Sequence, residues 1–249
     1  MSTTPSTPEL PPYQIRARRA SSTEDRSAVV LPGLPMEAVE QVITRLAHAG
    51  CRSVIWCALG RSGTAGLVEQ QGGSPELRVL TLETDPGPAA WLAIAMAESP
   101  GREVLVTAAD RVLLRAPAHQ LSRDTPLLLP RRLDALGNAE ADGVVPIPLP
   151  DDRMEFWPVI LPESETPALC GLDFCGLYNA HHFLTLGGFD RSMRSPWWQR
   201  IAFGLRCALA GKPPRVSDEF AMRVPEGEGP ESVERNEDYF RVHIRYLAP

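Results

Sequence analysis

Short apolar runs alternate with helical segments in the first half of this chain, and this alternation restricts the fold more than any other feature. The apolar residues 28–31 and 53–59 predict two buried strands, and residues 36–49 carry apolar side chains on one helical face between them. Short links from strand to helix to strand favour a parallel pair with a right-handed crossover. The chain is therefore expected to form an α/β domain with a mainly parallel central sheet flanked by helices.

The same pattern continues through the middle of the chain. Residues 77–82 and 104–106 predict strands, and residues 88–98 predict the helix between them. Residues 131–136 predict another helix, because the surrounding segment is charged and rich in alanine and leucine. Further strands are expected at residues 143–147, 157–161, 170–178 and 215–217.

The 249 residues are enough to bury a sizeable core, and a single domain is expected over residues 26–224. Residues 1–25 are expected to be a flexible N-terminal tail, and residues 225–249 a C-terminal loop and closing segment. Residues 1–12 are rich in Ser, Thr and Pro and lack the basic start and apolar centre of a secretion signal, which predicts a cytoplasmic protein.

The charge and hydropathy of the chain argue against several classes of function. The formal net charge is −6, whereas broad nucleic-acid binding requires a basic footprint. No apolar run approaches the ~18 residues of a membrane span. The five cysteines include no Cys-x-x-Cys pair, so a structural zinc site is not expected. We therefore expect neither a nucleic-acid partner nor a membrane span.

The second half of the chain carries a glycine turn followed by a helix. Gly187 and Gly188 permit positive φ angles and close backbone approach after an apolar segment, and Asp190 follows where a loop begins. Beyond this loop, apolar residues recur at three- and four-residue spacing until Gly211, which predicts an amphipathic helix.

This stretch resembles the acceptor-side motif of inverting family 2 glycosyltransferases, in which Gly-Gly-Phe-Asp-Glu precedes a short loop and Trp-Glu-Asp-x-Asp-Leu-x-x-Arg. The acidic positions are replaced, because Gln199 and Arg200 stand at the Glu-Asp pair that includes the usual catalytic base, and Ala202 stands at the later Asp. The resemblance implies a GT-A-like fold with an acceptor-side loop. The positions that match are Gly187, Gly188, Phe189, Asp190, Trp198 and Arg206.

A glycine loop after the second strand resembles the first nucleotide-binding segment of the same family. Gly60 and Thr64 match and are candidate nucleotide-binding residues, whereas Ala58 and Leu59 stand where the family carries an Asp that contacts the nucleotide. Backbone amides in such a loop still suit an anion.

The segment after the fourth strand resembles the Asp-x-Asp motif that holds a divalent metal against the nucleotide diphosphate. Ala108 replaces the first Asp, Asp110 keeps the second, and Arg111 follows. Asp110 and Arg111 are thus candidate nucleotide-binding residues, and Asp110 is a candidate ligand of Mn²⁺ or Mg²⁺. The alternative is that Asp110 caps the following turn.

The resemblance implies a protein that binds a nucleotide sugar and transfers the sugar to an acceptor. In that hypothesis Asp190 is the candidate base, and Arg200 or Arg111 replaces the metal in a metal-independent reaction. A second hypothesis is a catalytically degenerate homologue that acts as a binding or scaffold subunit with a protein partner. A third is a nucleotidyltransferase, although the first strand lacks that class's Gly-Gly-x-x-x-Arg loop.

Overall fold

The computed structural model describes residues 11–16, 26–33, 38–60, 75–99, 101–150, 154–162, 164, 166–225 and 237–247. The strands are β1 (Gln14–Arg16), β2 (Arg26–Leu31), β3 (Cys51–Leu59), β4 (Glu76–Leu82), β5 (Glu103–Ala108), β6 (Val112–Arg115), β7 (Leu127–Leu133), β8 (Gly143–Pro148), β9 (Met154–Val159), β10 (Gly176–Asn179) and β11 (Arg215–Arg223). The helices are α1 (Val39–His48), α2 (Pro88–Glu98), α3 (Ala180–Thr185), α4 (Pro196–Leu209) and α5 (Glu237–Val242), which continues as a π-helical turn, His243–Leu247.

A nine-stranded sheet in the order β1-β4-β3-β2-β5-β10-β7-β11-β6 forms the centre of the molecule. Strands β4, β3, β2 and β5 pair in parallel, as do β7 and β11. Strand β10 lies antiparallel between β5 and β7, so both parallel groups point the same way. The expected mainly parallel sheet is therefore confirmed, and the carboxyl ends of its parallel strands lie along the edge where open α/β sheets bind ligands.

Helices cover both faces of the sheet, because its central strands are apolar on both faces. Val29 of β2 belongs to the same apolar cluster as Trp91 of α2, whereas Val30 belongs to the cluster of Leu46 in α1. All four side chains are buried. Helix α1 has one apolar face, but α2 is apolar nearly all round because it also contacts α4.

Strands β8 and β9 form a separate hairpin despite three prolines. The amide and carbonyl groups of Val144 bond to residues 169–170, so they do not pair with β9. Backbone groups alternate in direction along a strand, so the nitrogens of Pro146 and Pro148 point the same way as that of Val144, away from β9. Pro158 lies opposite Val144, and its nitrogen likewise points away from β8. The prolines therefore remove no hydrogen bond from the hairpin.

The prediction of a helix at residues 131–136 is wrong, because this segment lies in strand β7 and the turn that follows it. The strand begins with Leu127, Leu128 and Leu129, which are buried, and it lies between β10 and β11. Pairing on both sides of the strand overrides the helical propensity of a short charged segment.

Other expectations are met only in part. The strand expected at residues 170–178 is formed at Gly176–Asn179 alone, and residues 170–175 are a loop. Within the expected N-terminal tail, Gln14–Arg16 pairs with β4 at the edge of the sheet. The loop expected after Gly60 lies outside the described residues. Among those described, no helix is both long and apolar enough to cross a membrane.

Candidate functional site

A cavity of about 210 Å³ lies at the carboxyl ends of β2 and β5. Leu31 and Ala108, the last residues of these two strands, form part of its wall, and Trp91 of α2 forms another part. The cavity thus occupies the edge that parallel strands make available to ligands. Among the described residues, the charged ones that line it are Asp85, Asp110, Arg111 and Asp173.

Asp110 lies two residues beyond the end of β5 and meets the loop after β2. A Cβ atom on Gly33 would lie 3.1 Å from Cγ of Asp110, so the glycine allows this close approach. One carboxylate oxygen of Asp110, Oδ1, lies 3.1 Å from a guanidinium nitrogen of Arg111. The Asp110 side chain is 31% exposed, whereas that of Arg111 is 4% exposed, so Asp110 is the more accessible member of the pair.

Asp173 joins two arginines at the base of the cavity. Its Oδ2 lies 3.3 Å from Nε of Arg111 and 2.6 Å from a terminal nitrogen of Arg132, and its Oδ1 accepts a hydrogen bond from the Cys175 amide. Burial opposes ionisation of Asp173, but the two guanidinium groups and the amide outweigh it, so the pKa of Asp173 lies below its usual range. These contacts therefore favour the charged form of Asp173.

Asp85 precedes α2 and completes the acidic lining. Its Oδ1 accepts hydrogen bonds of 2.9 Å from the amide of Gly87 and from the indole Nε1 of Trp91. These contacts fix the carboxylate beside the N-terminus of α2.

Sequence reasoning missed three residues of this site, namely Asp85, Asp173 and Arg132. An Asp shortly before a helix is a detectable capping signal for Asp85. No motif marks Asp173, and Arg132 lies in the segment for which the sequence predicts a helix.

Buried side chains occupy the positions of α4 at which the resembled family carries acidic residues. Cζ of Arg200 lies 5.1 Å from the ring centroid of Phe174, which lines the cavity, and 5.7 Å from that of Trp197. Nε2 of Gln199 donates a 2.7 Å hydrogen bond to the carbonyl of Met193. Arg200 therefore adds positive charge behind the cavity wall, and Gln199 holds the loop before its own helix.

The glycine turn follows α3 and is fixed to α4. Gly187 and Gly188 have φ angles of 79° and 58°, which favour glycine. A Cβ on Gly188 would also lie 3.0 Å from the ring of Phe183. Arg206 of α4 donates hydrogen bonds to the carbonyls of Gly188 and Ala202. The matching Gly and Arg positions therefore stabilise one loop.

Both carboxylate oxygens of Asp190 have partners on nearby residues. Its Oδ1 accepts hydrogen bonds from the Ser192 amide, at 3.0 Å, and hydroxyl, at 2.6 Å, and its Oδ2 lies 2.9 Å from Arg245. Burial opposes its ionisation, but these partners lower the pKa of Asp190 below its usual value. A carboxylate with a lowered pKa accepts a proton less readily.

The candidate residues fall into two groups. Asp110, Arg111 and, through Phe174, Arg200 meet at the cavity. Gly187, Gly188, Asp190 and Trp198 form or flank the loop before and at the start of α4, and none of these four lines the cavity.

Of the two nucleotide-loop candidates, the structure describes Gly60 alone, and Gly60 does not line the cavity. Gly60 has a φ of 68° and donates its amide to the carbonyl of Leu82, and Thr64 lies outside the described residues.

Asp110 offers a divalent cation a single retained carboxylate of the motif. Mn²⁺ and Mg²⁺ require several oxygen ligands, and across the described ranges no group of three or more His, Cys, Asp or Glu side chains is placed to hold an ion. A cation at Asp110 would also compete with the guanidinium of Arg111 for the same carboxylate. We therefore assign no metal to these residues.

The sequence matches no protein-family model and no curated protein. Its fold is similar to that of S. aureus TarS, with a TM-score of 0.58 and 15% identity over 87% of this chain and 38% of TarS. The fragment TarS 1-349 in complex with UDP gives a TM-score of 0.55 and 16% identity, over 87% of this chain and 63% of the fragment. GalNAc-T7 with UDP, GalNAc and Mn²⁺ gives 0.54 and 11%, over 88% of this chain and 48% of GalNAc-T7.

These similarities define the class of fold. TarS and GalNAc-T7 are glycosyltransferases of the GT-A type, and the mainly parallel sheet with helices on both faces confirms the expected GT-A-like fold. The chain spans 38% to 63% of the length of these solved chains. At such low identity the similarity establishes the fold alone.

Proposed function

We propose that this protein binds a nucleoside-diphosphate sugar in the cavity at the ends of β2 and β5 and transfers the sugar to an acceptor, as a relative of family 2 glycosyltransferases. The observation that carries the proposal is the Asp110–Arg111 pair, which lines this cavity on a GT-A-like fold. TarS has been solved with UDP and with UDP-GlcNAc, which supports a uridine nucleotide as the first ligand to test.

The charged groups of the cavity suit the two parts of a nucleotide. Asp85 and Asp110 offer carboxylate oxygens, which accept hydrogen bonds from ribose hydroxyl groups or base N–H groups. Arg111 offers a guanidinium for phosphate oxygens. The charge of Asp173 is balanced by Arg132, so it repels a diphosphate less than an unpaired carboxylate would.

In the proposed transfer, an acceptor hydroxyl oxygen bonds to the anomeric carbon as the bond from that carbon to the diphosphate oxygen breaks. The nucleoside diphosphate leaves with the bonding electrons, and the hydroxyl proton passes to a base. Arg200 is excluded as the base because a guanidinium stays protonated. Asp110 and Asp190 are the proposed bases, and the position of Asp110 in the cavity favours it over Asp190, which does not line the cavity.

We expect binding to be independent of divalent metal. Arg111 lines the cavity and Arg200 lies behind Phe174, so two guanidinium groups supply positive charge near the proposed diphosphate. Isothermal titration with UDP-, GDP- and TDP-sugars, in Mn²⁺ and in EDTA, tests this. The proposal predicts one nucleotide class that binds in both buffers, and no binding of any class in either buffer would refute it.

A catalytically degenerate binding subunit is the second candidate. Two observations favour it, the use of Gln199 in a backbone contact and the placement of Arg200 where the family carries its base. This candidate predicts nucleotide-sugar binding without turnover, and a protein partner in place of an acceptor.

A measurement of catalytic turnover distinguishes an active transferase from a degenerate binding subunit. Release of nucleoside diphosphate should be measured for the natural protein and for Asp110→Asn and Asp190→Asn. The transferase proposal predicts release that at least one substitution abolishes. Release that both variants retain would remove these acids from the mechanism, and binding with no release would favour the degenerate subunit. Formation of pyrophosphate from a nucleoside triphosphate and a sugar phosphate would instead indicate a nucleotidyltransferase.

A further inference from the structure

A larger groove lies outside the cavity and has no role in the proposed nucleotide binding. Its volume is about 410 Å³, and it runs between strand β9 and the helices α4 and α5. Phe156 and Trp157 of β9, Trp198 of α4 and Tyr239 of α5 line it together with the carboxylate-bearing residue Glu155. It therefore combines aromatic rings with a hydrogen-bond acceptor, as small-molecule sites do.

The ring of Trp157 is exposed but held in place. Trp157 is 55% exposed, and its indole Nε1 donates a 3.0 Å hydrogen bond to Oε2 of Glu155. This bond satisfies the polar edge of the indole while much of its apolar surface remains open to solvent.

The opposite wall is also fixed. The ring of Trp198 contacts Phe156 at 5.7 Å and Tyr239 at 5.4 Å between centroids, both edge-on. Beside Tyr239, the buried carboxylate of Asp238 accepts 2.8 Å hydrogen bonds from the amides of Arg194 and Ser195, just before α4. α5 is thereby tied to α4, and a ligand would enter a groove whose walls are already in position.

We propose that this groove binds a pyranose ring of the acceptor, so that the acceptor is a saccharide. The C–H groups on the faces of a pyranose carry slight positive charge and pack against the negative faces of aromatic rings. Its hydroxyl groups donate hydrogen bonds to a carboxylate such as that of Glu155. This inference rests on the proposed function, because it names the substrate on the other side of the same reaction.

Helix α4 connects the groove to the cavity. Trp197 and Arg200 lie three residues apart on one side of its first turn, and Arg200 packs on Phe174 of the cavity wall. Trp198, which follows Trp197 in the chain, lines the groove. Two positions of one helix, Trp198 and Arg200, therefore connect the groove with the wall of the proposed donor site.

Saturation-transfer NMR with cellobiose, lactose and chitobiose tests the inference on the full chain, with a dissociation constant on the order of 1 mM expected. Trp157→Ala should weaken binding about tenfold, and Trp157→Phe should retain most of it. Leu136→Ala, which truncates a side chain 87% exposed on another loop, is the matched control and should leave saccharide binding unchanged.

Three results would overturn the saccharide assignment: no binding of any disaccharide, equal binding by Trp157→Ala, or binding of tetramethylammonium in place of sugars. A parallel UDP titration distinguishes the two proposals. UDP binding without saccharide binding contradicts this inference alone, and saccharide binding without binding of any nucleotide contradicts the proposed function alone.

Discussion

Asp173 holds the candidate site together at the scale of single residues. Its two carboxylate oxygens contact Arg111, Arg132 and the amide of Cys175. Arg111 is shared with Asp110, so a change at Asp173 alters the arginine that lines the cavity among the residues the structure describes. A partly buried carboxylate between two guanidinium groups is stabilised by its partners, and removal of its charge takes one counter-ion from each of these two cations.

Asp173→Asn is predicted to lower the free energy of unfolding by about 3 kcal/mol at pH 7. The folded-state pKa of Asp173 is lowered, so the stabilisation by its charge is present above the unfolded pKa of about 3.9 and is lost as the pH falls through the folded pKa. Urea titrations from pH 7 to pH 3 should therefore show a constant difference from the natural protein above about pH 5, which shrinks below about pH 4. A difference that grows on acidification would contradict this account.

Helix α4 organises the molecule at the scale of elements. It carries Arg200 toward the cavity and Trp198 toward the groove, and its Arg206 fixes the glycine turn. On another side, Gly204 faces the segment before β10, because a Cβ there would lie 1.9 Å from the carbonyl oxygen of Leu169. The glycine is thus required by close backbone approach.

Gly204→Ala is predicted to destabilise the protein by about 3 kcal/mol, because the added methyl group displaces backbone. Helical propensity alone predicts the opposite sign, a gain of about 1 kcal/mol. Ala208→Gly, at an exposed position of the same helix, is the control and should cost about 1 kcal/mol. Thermal or urea unfolding measures both variants, and a stabilised Gly204→Ala protein would disprove the close packing.

Asp238→Ala should loosen the start of α4. Ser195, at the N-cap position, makes no side-chain capping bond. Its backbone amide instead donates a hydrogen bond to the carboxylate of Asp238 in α5. We expect a loss of about 2 kcal/mol and faster hydrogen exchange at the amides of Arg194 and Ser195. Glu237→Ala, with a side chain 87% exposed, is the control. Unchanged exchange at these two amides would show that Asp238 does not hold the helix.

The predictable parts of the structure are those encoded by local periodicity. The spacing of apolar residues identified α2 over its full extent and placed β2, β3 and β4 within a few residues, because each buries a regular pattern against its neighbours. Strand β7 was missed, since its pairing depends on β10 and β11, which lie far along the chain. For the same reason Asp173 was not identified as a site residue.

At the scale of the whole molecule, α4 links the groove with the cavity, because its Trp198 lines the groove and its Arg200 packs on Phe174 of the cavity wall. The sheet topology brings the ends of β2 and β5 together, and the hairpin and α5 complete the groove from later parts of the chain. The central claim is that the cavity binds a nucleoside diphosphate through its own side chains, without a metal.

Titration of UDP into the protein in EDTA, with the natural chain and Ala108→Phe compared, tests this claim most directly. Ala108 lines the cavity, so the larger side chain fills it, and Ala135→Phe on an exposed turn is the matched control. Thermal unfolding of all three proteins establishes that they are folded. We predict that the natural chain and Ala135→Phe bind UDP and that Ala108→Phe does not. Equal binding by a folded Ala108→Phe variant, or no binding of UDP, GDP or TDP by the natural chain, would contradict the account.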